Sequence, residues 1–124
     1  MPTIVHFNIP VKDVNRAKKF YNELFGWKIE KVPGPMEYYN ITTYDDKGNT
    51  SVGGGMGENQ EEDDQITNYI DVPSIDEYIT KVQQLGGKIV MPKTPIPGFG
   101  YLAVCIDSEN NKFGLWETDE KATP

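Results

Sequence analysis

Few side chains in this sequence are equipped for chemistry, and two of them stand near opposite ends of the chain. His6 is the only histidine, so any step that uses an imidazole as base or ligand has to use it. Strand alternation turns Val5, Phe7 and Ile9 one way and Ile4, His6 and Asn8 the other, which sets His6 and Asn8 on a face apart from the apolar one. Glu117 shares a strand face with Phe113 and Leu115, where a lone carboxylate is desolvated unless it is paired. His6 is the partner the sequence offers it, and an exposed strand-end acid is the plain alternative. Gly53-Gly54-Gly55-Met56 lacks the lysine and hydroxyl residue of a phosphate loop, so these glycines are expected to bend a strand or admit a close neighbour. Cys105 lies between Val104 and Ile106 with no cationic neighbour, as a packing thiol would. Tyr38, Tyr69, Tyr101, Phe99 and the methionines Met36, Met56 and Met91 offer more aromatic and thioether surface than one small core face needs. The surplus suits a flat or apolar ligand.

The elements that must hold these groups are written twice. A shift of 61 residues lays Val5, Ile9, Val11, Val14, Tyr21 and Leu24 on Ile66, Ile70, Val72, Ile75, Val82 and Leu85, the mark of an internal repeat. Each copy opens with a strand and continues into a helix. Asp13 is placed to cap the first helix, with Val14, Ala17, Phe20, Tyr21 and Leu24 on one stripe, and Ser74 with Glu77 forms a capping box for the second. Gly26 and Gly86-Gly87 stop them. Three strands follow in each copy, predicted near 27–31, 37–43 and 51–56 and near 88–91, 100–106 and 112–118, with hairpin turns at Asp45–Asn49 and Asp107–Asn111. Pro92, Pro95, Pro97, Gly98 and Gly100 are expected to form a stiff loop that could rim a pocket or serve as a plain connection. The expected class is α+β, two tandem βαβββ modules forming a cupped, half-open mixed β-barrel with the helices outside.

At 124 residues the chain has room for one domain, expected over 1–119 as modules 1–57 and 66–119, with a connector at 57–65 and a tail at 120–124. Twelve basic against nineteen acidic residues leave a net charge of −7, which repels phosphate backbones and anionic lipid surfaces. Nucleic acid and membrane are therefore poor partners. Glu58, Glu61, Glu62, Asp63 and Asp64 concentrate the acid in the connector, which is expected to be a solvated loop. A single cysteine excludes an internal disulfide and a cysteine-rich zinc site. With no apolar run of spanning length, the expected location is the cytoplasm. Modules of this size are marginal alone, which favours pairing and a homodimer.

The run Val5-His6-Phe7-Asn8-Ile9-Pro10-Val11-Lys12-Asp13, continuing through Ala17 to Trp27, resembles the opening of the vicinal oxygen chelate superfamily of glyoxalases, bleomycin-resistance proteins and extradiol dioxygenases. Asp107 to Glu117 resembles its closing turn and strand, and Tyr69-Ile70-Asp71-Val72, Leu85-Gly86-Gly87-Lys88 and Pro92 to Gly98 resemble the second module. In metal-dependent relatives the resemblance implies a divalent ion, Zn, Ni, Mn or Fe, held by four inward residues, one from the first and one from the last strand of each module. Here it points to His6 and Glu117 as ligands or acid and base. The repeat then sets Thr67 opposite His6, and Gly55 or Met56 opposite Glu117, none of them a usual ligand for such an ion. Half a metal site remains. The function expected from the resemblance is therefore binding of a small organic molecule by a dimer, with Asn8, Thr67, Tyr69, Met56, Phe99, Tyr101 and Leu115 lining the cup. The alternatives are a metal-dependent lyase or dioxygenase using His6 and Glu117, and a non-catalytic dimerisation module whose cup is filled by its own side chains.

Overall fold

A computed structural model of the chain describes residues 2–34, 37–58 and 64–123. Met36, Glu61, Glu62 and Asp63, named above, lie outside the described residues. The chain is α+β and divides into two compact units, His6–Ile66 and Thr67–Pro124 with Met1–Val5. Each carries the βαβββ order that the repeat predicts.

In the first module β1 (Thr3–Val11) leads to α1 (Val14–Phe25), followed by β2 (Lys28–Lys31), β3 (Tyr38–Thr42) and β4 (Gly53–Glu58). The sheet order is β2-β3-β4-β1, with β4 parallel to β1 and antiparallel to β3. Asp13 caps α1 by accepting the Arg16 N–H at 3.0 Å. Gly26 ends the helix at φ 72°, a left-handed position where a side chain is strained. Ile9, Val11, Ile29, Ile41 and Met56 form the core, and Val14, Ala17 and Tyr21 of α1 pack on it. That contact fixes which face of each strand looks at the helix. Alternation sends His6, Asn8, Tyr38, Asn40, Gly53, Gly55 and Gly57 to the other, helix-free face.

The second module repeats the plan with β5 (Thr67–Asp71), α2 (Ile75–Gln84), β6 (Lys88–Ile96), β7 (Gly100–Ile106) and β8 (Lys112–Thr118), in the order β5-β8-β7-β6. Val72, Ile75, Ala103, Cys105 and Leu115 are its core, covered by Ile79 and Val82 of α2. Cys105 is buried there, and burial pushes its thiol up to about 11, which makes it the packing group the sequence suggests.

Two boundaries differ from the sequence expectation. β6 does not stop at Met91 but continues to Ile96, through Pro92 and Pro95. It is an edge strand, so the missing prolyl N–H groups interrupt no second ladder, and its pairing with β7 shifts register on the way. β4 runs on through Glu58, taking the first two residues of the expected connector into the sheet.

Candidate functional site

The helix-free face of the first module carries a chain of three polar side chains. β1 and β4 pair in parallel with His6 opposite Gly53 and Asn8 opposite Gly55, and β3 brings Tyr38 opposite Gly57. Across that strip the Tyr38 hydroxyl donates to Asn8 Oδ1 at 3.1 Å and lies 3.2 Å from His6 Nε2. With the phenolic proton directed at Asn8, the His6 contact is made by an Nε2–H donating to the Tyr38 oxygen. Burial lowers the imidazole pKa from 6.5, which favours the neutral ring. The tyrosine reaches this position because the strand beneath it is bare. A Cβ built on Gly55 would overlap the Tyr38 hydroxyl, and one on Gly57 would come within 3.1 Å of its ring. An uncharged phenol, imidazole and carboxamide so linked offer both donors and acceptors to a bound molecule.

In the second module Thr67 is buried and Tyr69 lies with its ring against Gly114, opposite it in the β5–β8 pair. Burial raises the Tyr69 pKa above 10, so it stays a neutral phenol. Glu117 faces the other way, towards α2, where Oε1 accepts the Ile75 N–H at 2.9 Å and so satisfies one of the helix's open donors. Beside it Lys93 bonds Asp76 at 3.0 Å and lies over the Tyr101 ring at 4.4 Å.

The structure thus joins His6 and Asn8 through Tyr38 and sets Thr67 and Tyr69 on one face of β5. Met56 and Leu115 are core residues that face the helices, and Tyr101 packs with the second core. Phe99 stands exposed in the turn before β7. Tyr38, which sequence reasoning offers only as aromatic surface, is the residue that links the cluster. Among the described residues, surface clefts elsewhere include one of about 390 Å³ beside Val11, Arg16 and Phe20, and one of about 490 Å³ beside Asp71, Tyr78 and Glu117. Neither is lined by His6.

Strand register resolves the ambiguity in the expected metal set. Asn8 and Tyr69 correspond in the repeat, and their partners are Gly55 and Gly114, so Gly55 corresponds to Gly114 and Glu58 to Glu117. The helix-free faces of the last strands therefore offer Gly53, Gly55 and Gly57 in one module and Lys112, Gly114, Trp116 and Thr118 in the other, with no carboxylate, imidazole or thiolate. Among the described residues no group of three or more His, Cys, Asp or Glu gathers to hold an ion. The donor set does not fit the metal that the resemblance implies.

Comparison with known proteins bears on the fold and the family. Residues 3–43 match the family model for the N-terminal part of bleomycin-resistance-like proteins. Curated proteins of Mycobacterium bovis and Mycobacterium tuberculosis, both bearing a glyoxylase name, are 30% identical over 115 residues, 90% of this chain. The chain spans 44% of their length. A methylmalonyl-CoA epimerase of Streptomyces coelicolor, solved in complex with 2-nitronate-propionyl-CoA, superimposes with a TM-score of 0.69 at 14% identity, over 98% of both chains. A hypothetical protein of Bacillus halodurans does so with a TM-score of 0.68 at 16% identity, over 99% of both. These two likenesses concern the fold alone.

Proposed function

Taking as premise that the chain belongs in sequence and fold with the vicinal oxygen chelate superfamily, we propose that it binds a small organic molecule, as a homodimer of the cytoplasm, on the helix-free face of its first module. The observation that carries this reading is the His6–Tyr38–Asn8 chain over bare glycine. It is a half-buried set of neutral donors and acceptors, and a ligand carrying carbonyl or hydroxyl groups on a flat frame would meet both polar partners and the tyrosine ring. The family model and the names of the curated relatives support a protein of the glyoxalase and bleomycin-resistance type. A lyase or dioxygenase step through His6 and Glu117 has less support, because Glu117 is engaged at the start of α2.

A second reading, the non-catalytic dimerisation module, draws on the same tyrosines, since Tyr38 and Tyr69 cover strand glycines themselves. Thermal-shift screening with uncharged aromatic and dicarbonyl compounds separates the two. A ligand present at about a hundred times its Kd should raise the melting temperature by about 10 °C, and Asn8→Ala should abolish the rise. If no compound stabilises the protein, or Asn8→Ala leaves the shift intact, the binding site is not here.

A further inference from the structure

We infer that Gly55 and Gly114 reserve the helix-free faces of the two last strands for tyrosines, so that the first module's site works through the Tyr38 hydroxyl and the His6 imidazole without a resident metal ion. The two glycines occupy equivalent positions, as the pairing of β1 with β4 and of β5 with β8 shows. The tyrosines that cover them are not equivalent. Tyr38 reaches Gly55 from β3, whereas Tyr69 reaches Gly114 from β5, at the position that Asn8 holds in the first module. A duplicated contact would descend passively from the repeat; two different strands delivering an aromatic ring to the same position point to a requirement at that position.

Sterics make the choice exclusive. A Cβ on Gly55 would overlap the Tyr38 hydroxyl, and a Cβ on Gly114 would overlap the Tyr69 ring. Hydrogen bonds to strands on both sides hold β4 and β8 in place, so the backbone cannot retreat. Each last strand thus presents either a ligating side chain at this point or a tyrosine above it. The sequence has the tyrosine both times. Its hydroxyl in the first module takes the His6 Nε2 contact, so an ion at that nitrogen would have to displace both its proton and the tyrosine, and no carboxylate stands on that face of β4 to help.

This deepens the binding reading, yet its test needs no organic ligand and fails separately from it. Because the chain has one histidine, the imidazole ¹⁵N and ¹H signals report His6 alone. Nickel or zinc chloride added to one equivalent should leave those signals in place, and calorimetry should show no saturable micromolar site. Saturation at one equivalent that moves the His6 signals and disappears in His6→Ala overturns the inference. In the same spectra Gly55→Ala should displace Tyr38 and so give the His6 nitrogen shifts of Tyr38→Phe, which keeps the ring and removes the hydroxyl. Wild-type shifts in either variant would show that the glycine does not position the tyrosine on the histidine. Should Gly55→Ala fail to fold, Tyr38→Phe and the metal titration decide the matter.

Discussion

Burial holds the His6 imidazole below its ordinary pKa of 6.5, so below that pH the unfolded chain takes up a proton that the folded chain resists. The stabilising contribution of the neutral ring is complete above 6.5 and is lost as the pH falls through the lower, folded value. Melting temperatures of the wild type should therefore drop more steeply than those of His6→Gln between about pH 7.5 and pH 5, and the single imidazole signal should titrate with a midpoint under 6.5. Parallel melting curves, or a midpoint above the ordinary value, would mean that the ring is solvated or paired with an acid. Strand alternation is enough to place His6 and Asn8 on the face away from the core. It is not enough to find Tyr38, because the link runs 32 residues along the chain to His6 and crosses β4 on the way. Three glycines at alternate positions in β4 were the available sign that a bulky side chain from elsewhere lies over that strand.

Among the elements, the start of α2 bears most directly on Glu117. Its carboxylate accepts the first helical N–H, and Ser74 Oγ accepts the N–H of Glu77 at 3.2 Å, so two of the helix's open donors are satisfied by side chains. Glu117→Ala should cost about 1 kcal/mol, or about 4 °C in melting temperature, while leaving the His6 signals and any ligand shift at the first module unchanged. Loss of ligand binding with an unaltered melting temperature would return Glu117 to the site. The two hairpins are built alike, Asp45 accepting the N–H groups of Lys47 and Asn49 and Asp107 those of Glu109 and Asn111. The bonds from Asn111 and Glu109 lower the Asp107 pKa, so the stability this turn adds is present above 3.8 and lost as acid is added through its folded value. Helices, caps and turns were legible because each depends on residues a few positions apart. Register in the last strands was not: Ile9 matches Ile70 at an offset of 61, but Met56 matches Leu115 at 59, since the intervening loops differ in length. A two-residue change keeps the parity of a strand and moves every residue's counterpart, which is how Glu58 rather than Gly55 or Met56 comes to correspond to Glu117.

For the whole molecule, the contrast between the two helices argues for self-association. α2 buries Ile75 fully and lays Tyr78, Ile79 and Val82 on its core. α1 has no buried residue, and its stripe ends in Phe20, Leu24 and Phe25 at 58%, 57% and 58% exposure. Tyr21 and Phe25 extend the patch by packing on Trp27, with ring centroids 5.2 and 5.0 Å away. Large apolar side chains clustered on one helix mark an interaction surface more often than scattered ones do, and a module of about 60 residues gains most from covering them. The proposed homodimer gives that patch an occupant. Light scattering behind a sizing column should then report about twice the 14.0 kDa chain mass, and Phe20→Glu with Leu24→Glu should give a folded monomer. These exposed positions carry no core packing, so the double variant should keep its far-ultraviolet circular dichroism. A wild type that elutes as a monomer at tens of micromolar, or a double variant that stays dimeric, would place the association elsewhere or remove it.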